Sequence, residues 1–285
     1  MGTELLQAES GTKRAGAEFW DSNPCGGAWR SYREWLDWYR ATEPYIYEIL
    51  DRYDWRGVET LEVGCGQGTL VNHLAPKGAV ITGVDMSEGS LARALAGARE
   101  LGHADRVRLL RADAERLPFA DASFDAAISS GVLHHTPDTR RGIAEIHRVL
   151  RPGGRVVVML YRRGNPKWWA TRMARGAFGA AAKVSSRPAV LMERLRARQA
   201  EGDEGGTALL ELFGVPILNA YTNRQCREMF SAFTEVRISN HQPGFRRLAD
   251  VFPALRKVAG ALGRVDSATR GRWGFYQVIE ARKPA

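Results

Sequence analysis

The chain predicts an α/β fold built on a mostly parallel sheet with helices on both faces. Three observations carry that reading. Apolar, strand-like runs alternate with helical patterns between residues 56 and 161, at the spacing of βαβ units. A glycine-rich turn, Gly64-Cys65-Gly66-Gln67-Gly68, follows the first run directly. An acid, Asp85, closes the second run, Val80-Ile81-Thr82-Gly83-Val84. Glycines let the backbone turn tightly and approach a bound small molecule closely. An acid at the tip of the next strand can hold a ribose through both hydroxyls. Together these features describe a nucleoside pocket at the carboxyl edge of the sheet.

The elements follow in order. Residues 1–17 lack a periodic pattern and are expected to fray. Residues 18–55 are rich in aromatics, and Tyr32, Trp35 and Tyr39 recur at helical spacing. Such a stripe either packs helices onto the sheet or lines a lid. Phe19 to Gly27 is the best lid segment, because Pro24, Gly26 and Gly27 break helix. Strands are expected at 59–64, 80–85, 107–112, 124–130 and 155–161, and helices near 67–75, 89–101 and 138–150. Ser87 is a suitable N-cap for the second of these helices. Residues 162–221 break the alternation, with a polar interruption at Glu201 to Gly206. An insertion here lies above the carboxyl edge and reads as a helical substrate cap, or else as a decorative or dimerising element. A helix capped by Thr222, strands at 235–239 and 274–281, and a basic, apolar helical pattern from Leu248 to Leu262 complete the chain. The expected organisation is therefore a lid segment (1–55), a cofactor-binding core (56–161), an inserted cap (162–221) and a C-terminal completion of the sheet (222–285).

Composition narrows the class. No apolar run approaches the roughly 18 residues of a membrane span. The amino-terminal residues show no basic-then-apolar signal pattern. Cys25, Cys65 and Cys226 are odd in number and widely spaced, against a disulfide framework or a zinc site. A cytoplasmic setting fits these features. The net charge of +9 is uneven: residues 1–164 carry 21 basic and 22 acidic side chains, residues 165–285 carry 20 and 10. That excess belongs either to solvated helix faces or to a site for an anionic substrate.

The glycine turn departs from the dinucleotide pattern G-x-G-x-x-G, because the third glycine comes one place early, at Gly68. Glu62 is also unexpected beside pyrophosphate and suits a cationic ligand better. Further motifs follow: Asp113-Ala114-Glu115-Arg116-Leu117-Pro118-Phe119, Phe124-Asp125, and Leu150-Arg151-Pro152-Gly153-Gly154. With Glu62-Val63-Gly64-Cys65-Gly66, these resemble the class I S-adenosylmethionine-dependent methyltransferases of the small-molecule branch. The resemblance covers residues 56–161 well. It implies a Rossmann-like sheet of seven strands with the last one antiparallel. It also implies that S-adenosylmethionine is the cofactor and S-adenosylhomocysteine the product. Glu62, Gly64, Cys65, Gly66 and Gly68 would line the methionine and ribose part. Asp85 would accept the ribose hydroxyls and Met86 would pack on the adenine. Asp113 and the Ala114 amide would meet the adenine edge. Ser130 and Gly131 would approach the amino-acid part.

Methyl transfer from a sulfonium is an in-line displacement that needs positioning and a dry site. A hydroxyl or ammonium acceptor also needs a base. His134, His135 and Tyr161 are the candidates, with His241 further off. Trp20, Trp168 and Trp169 offer apolar surface for the acceptor, and Arg162, Arg163, Arg172 and Arg175 offer cations. The acceptor is thus expected to be small, largely apolar and able to carry an anionic end: a natural-product phenol, a quinone precursor or a prenyl diphosphate. A nucleic-acid methyltransferase is the alternative, but the fourth strand ends in Ser129-Ser130-Gly131-Val132 and lacks the polar-Pro-Pro-aromatic clamp on a flipped base. A non-catalytic partner protein is the other alternative. No metal is expected, and the chain is read as a monomer or homodimer.

Overall fold

In the computed structural model, residues 2–23, 31–200, 213–241, 257, 260–261 and 274–285 are described. Seven strands form one sheet in the order β3-β2-β1-β4-β5-β7-β6. They are β1 (Glu59–Val63), β2 (Val80–Asp85), β3 (Val107–Arg111), β4 (Phe124–Ser130), β5 (Leu150–Tyr161), β6 (Thr234–His241) and β7 (Tyr276–Arg282). The first five pair in parallel, and β7 runs antiparallel to both β5 and β6. The chain order reverses between β1 and β4. Ligands of open α/β sheets bind at such a reversal, outside the carboxyl ends of the strands.

The helices obey local rules. α2 (Tyr32–Thr42) starts at Ser31, whose side chain accepts from the Glu34 amide, and α3 (Pro44–Leu50) begins with a proline at N1. α4 (Val71–Leu74) is short and runs into a 3-10 turn. α5 (Glu88–Glu100) and α6 (Thr139–Val149) are capped by Ser87 and Asp138. α7 (Pro166–Val184), capped by Asn165, and α8 (Arg187–Ala200) occupy the insertion. α9 (Asn223–Met229) opens with a capping box formed by Thr222 and Gln225. Two apolar clusters cover the sheet, one around Ile46, Trp55, Leu74, Ile81 and Ile128, the other around Leu61, Leu133, Ile146, Val158 and Phe230.

Three expectations are corrected. Residues 2–17 are not an irregular segment: α1 (Gly2–Ser22) is one continuous helix. It packs on α5, so tertiary contact replaces the missing periodic signal. The expected helix at 67–75 shrinks to α4, because Gly68 and Pro76 bracket it. Strand β5 begins at Leu150, not at residue 155, since Leu150 already pairs with Phe124 before a bulge restores the register at Arg155. Part of the expected lid segment (24–27), the break at 201–206, and most of the 248–262 pattern lie outside the described residues.

Candidate active site

The site is built on the turn after β1. Gly64, Gly66 and Gly68 all have positive φ, at 73°, 51° and 82°. The amides of Gly64 and Cys65 both donate to the Val84 carbonyl, which ties the turn to the end of β2. Asp85 then closes over it: Oδ2 accepts from the Gly66 amide at 2.9 Å and Oδ1 from the Ser87 amide at 2.9 Å. Each oxygen keeps a second lone pair, so the carboxylate can still accept from a diol. Burial pushes the Asp85 carboxyl above its ordinary range despite these amides.

The three glycines differ in role. A Cβ on Gly64 would sit 2.3 Å from the Val132 methyls, and one on Gly68 would meet the Ala94 Cβ at 2.8 Å. A Cβ on Gly66 would meet nothing within 4 Å, since it would point into the cavity. Only Gly66 therefore leaves open space where a side chain would be; Gly64 and Gly68 are required by packing.

Among the described residues, one cavity joins these groups. Glu62, Gly64, Cys65, Gly66, Asp85, Met86, Asp113, Ala114, Ser130, Gly131, His135, Tyr161 and Trp20 all line it. Thr12, Lys13, Trp35, Trp38, Tyr39, Glu43, Gln67, Thr69, Thr136, Ile217 and Tyr276 line it too. The stripe Trp35, Trp38 and Tyr39 had a signal in its helical spacing. Lys13 had none, because its partners lie about 100 residues away. Its ammonium pairs with Asp113 and Glu115. At the other end of α1, Asp21 accepts from the Ser87 hydroxyl at 2.6 Å and the Gly89 amide at 3.2 Å. Helix α1 thus spans the cavity from the β2–α5 loop to the segment after β3.

Other expected site residues fall elsewhere. Gly68 does not line the cavity. Trp168 is buried in the apolar core and Trp169 is 54% exposed. Arg163 is exposed, and neither it nor Arg162, Arg172 or Arg175 lines the cavity. The insertion reaches the site through its returning limb instead, where Ile217 accepts from His135 Nδ1 at 2.8 Å and Asn219 donates to the His134 carbonyl.

The two histidines separate sharply. His134 is fully buried, 3.8 Å from the Tyr161 ring between centroids, and neither ring nitrogen has a hydrogen-bond partner among the described residues. Burial, with His135 adjacent, holds it well below its ordinary value, so it stays neutral and does not line the cavity. His135 faces the cavity and its ring lies 5.4 Å from that of Trp20. A carbonyl can only accept, so Nδ1 carries the proton and Nε2 is the acceptor nitrogen of the neutral ring. His241 lies against Tyr45, stacked at 4.9 Å, and does not line the cavity.

His134 gives a pH prediction. The unfolded chain protonates this ring near 6.5, while the folded chain resists it. Stability is therefore full above that pH and falls as pH drops below it, by about 1.4 kcal/mol per pH unit for this one group. Urea melts between about pH 5 and 7 should show a shallower dependence for His134→Leu by that slope.

The donor set fits S-adenosylmethionine. Glu62 is buried at the cavity wall, and its Oε2 has no hydrogen-bond partner among the described residues. An ammonium would satisfy it. Burial, with Asp85 nearby, pushes the Glu62 carboxyl well above its ordinary range. A cationic ligand binds the ionised carboxylate, so affinity should rise with pH through that raised value. Titrations at several pH values would show this, and Glu62→Gln should bind more weakly with a flatter profile. Among the described residues no cluster of ligating side chains could hold a metal ion.

A sheet of this order, with a glycine turn after its first strand and an acid closing its second, agrees with the Rossmann-like fold of class I S-adenosylmethionine-dependent methyltransferases. Residues 61–158 match the methyltransferase domain family, and the chain carries that domain. The demethylmenaquinone methyltransferase of Clavibacter sepedonicus is 43% identical over 102 residues, 36% of this chain and 40% of that protein. The 27-O-demethylrifamycin SV methyltransferase of Amycolatopsis mediterranei is 41% identical over 103 residues, 36% of this chain and 38% of that protein. Over the whole fold, the [4+2]-cyclase SpnF superposes with a TM-score of 0.55 at 21% identity, covering 94% of this chain and 95% of that one. The matches span about two fifths of the length of the first curated relatives.

Proposed function

We propose that this chain transfers a methyl group from S-adenosylmethionine to a small, largely apolar acceptor. The observation that carries the reading is the continuity of the cavity. One cavity is lined both by the polar groups of Glu62, Gly66 and Asp85 and by the apolar side chains of Trp20, Trp38, Tyr39, Ile46, Tyr161 and Tyr276. The cofactor supplies the electrophilic methyl. The residues bind, orient and keep water out.

The cavity lining favours a neutral acceptor over an anionic one. Among the described residues Lys13 is the one lysine or arginine on the cavity wall, and its charge is already met by Asp113 and Glu115. A hydroxylated aromatic or polyketide-like acceptor fits aromatic walls with few polar groups. Two relatives are named for small-molecule acceptors, demethylmenaquinone and 27-O-demethylrifamycin SV, which supports an acceptor of small-molecule size.

In this reading His135 Nε2 takes the acceptor proton, supported by the ring's place on the cavity wall and by Nδ1 bonded to Ile217. His135→Gln should lower kcat by roughly 10²–10³-fold and leave cofactor affinity within about two-fold. S-adenosylhomocysteine formation across a panel of phenols, enols and amines tests the reading. Turnover with hydroxyl acceptors that falls in His135→Gln supports it. Turnover unaffected by that change would remove the base. No turnover with any neutral acceptor alongside turnover of carboxylates or diphosphates would overturn the neutral acceptor.

A further inference from the structure

The inner side of the α7–α8 hairpin is covered. Trp168 is buried, Phe178 stacks on Phe213 at 4.7 Å, Arg175 donates to the Val215 carbonyl at 2.9 Å, and Leu195 is 2% exposed. Among the described residues the outer side is not covered. Six large apolar side chains are exposed among the described residues, and five of them lie on this hairpin: Trp169, Met173, Val184, Val190 and Leu191. The sixth is Val80, on β2.

Position along the helices turns these residues into faces. Trp169, Met173, Ala177, Ala180 and Val184 follow one another at steps of three or four, so they form one stripe down α7. Arg172 and Lys183 border that stripe on the same edge. On α8, Arg187 and Arg194 stand three or four residues from Val190 and Leu191 and share their face. All four cations are exposed. Glu193 is the one exposed acid on the two helices among the described residues.

We propose that the outer face of the α7–α8 hairpin docks on an anionic lipid surface. Helices that carry Trp, Met and Leu in a stripe with Lys and Arg beside it lie in the headgroup region. There the apolar groups enter the acyl boundary and the cations meet lipid phosphates. Charge selects this occupant over a second copy of the chain: two such faces placed together would set the cations of one against those of the other, with a single acid on each to offset them. Among the described residues no helix is long and apolar enough to cross a membrane, so the contact is with the surface. None of these residues lines the cavity, and the inference does not depend on the methyl-transfer reading.

The test is co-sedimentation of the full chain with vesicles of phosphatidylcholine alone and of phosphatidylcholine with about 30% phosphatidylglycerol. The wild type should partition onto the anionic vesicles at least ten-fold better, and less so as salt rises. W169S with M173S should weaken that binding by ten-fold or more. R187E with R194E should weaken it by at least twenty-five-fold, at about five-fold per charge removed. Both pairs are exposed, so circular dichroism should show unchanged folding. Equal binding to both vesicles, or binding that neither pair affects, would overturn the proposal. So would a dimer in analytical ultracentrifugation that W169S with M173S converts to monomer, since the face would then be an interface between copies.

Discussion

Asp85→Ala is expected to abolish measurable cofactor binding while leaving the protein folded. The carboxylate does two jobs. It fixes the Gly66 and Ser87 amides at 2.9 Å, and it keeps lone pairs pointed at the space in front of them. A ribose diol bound there gains two hydrogen bonds to a charged acceptor, each worth about 1.5–3 kcal/mol. Their combined loss corresponds to roughly 10²–10⁴-fold in Kd. Stability should respond far less. Burial already holds the Asp85 carboxyl above its ordinary value, so at neutral pH its charge is a cost to the ligand-free fold, not a support. Melting temperature should stay within a few degrees of wild type. Asp85→Asn keeps the size and one acceptor, so it should fall between wild type and the alanine variant. A large drop in melting temperature with binding intact would reverse this assignment and make Asp85 a structural residue.

Gly64→Ala should damage both fold and site. The residue has a φ of 73°, and an added Cβ would lie 2.3 Å from the Val132 methyls. The left-handed backbone costs an L-residue about 1–2 kcal/mol. Overpacking adds about 1–3 kcal/mol. A chain of this size loses roughly 2–4 °C of melting temperature for each kcal/mol. The expected drop is therefore about 5–15 °C. Val132 follows β4 and lines the cavity, so its displacement should also disturb Ser130 and Gly131 and weaken cofactor binding. Val132→Ala in the same chain should restore the packing part and leave the backbone part. Gly66→Ala is the control. Its Cβ meets no protein atom within 4 Å, so its effect should appear in ligand affinity more than in stability. If Gly64→Ala proved neutral, the turn would be more plastic than its contacts with Val84 and Val132 imply.

Those two positions also show what could be read in the chain itself. The glycine turn, Asp85 and the alternation of strands are local features, and local features place the first five strands and the sheet edge that holds the site. The three glycines could not be told apart in this way. Which of them packing requires depends on Val132 and Ala94, which come from other elements. Lys13 was invisible for the same reason: an isolated lysine in a polar segment gains meaning only when a helix lays it beside Asp113 and Glu115. The insertion misled in a more instructive way. Trp168, Trp169 and the arginines around them looked like a substrate wall because aromatic and basic residues cluster in sequence. Helical periodicity instead buries Trp168 and turns Trp169 outward, and the cavity receives Ile217 from the far end of the insertion. Adjacent residues such as His134 and His135 are divided in the same manner by a single 3-10 turn.

The most direct measurement is a calorimetric titration of the wild-type chain with S-adenosylhomocysteine, followed by S-adenosylmethionine. Saturable binding of both at one site per chain is expected, lost in Asp85→Ala and tightening as pH rises. Absence of heat and of any thermal stabilisation up to about millimolar ligand would contradict it, because a gain of binding free energy for the folded chain must raise its stability.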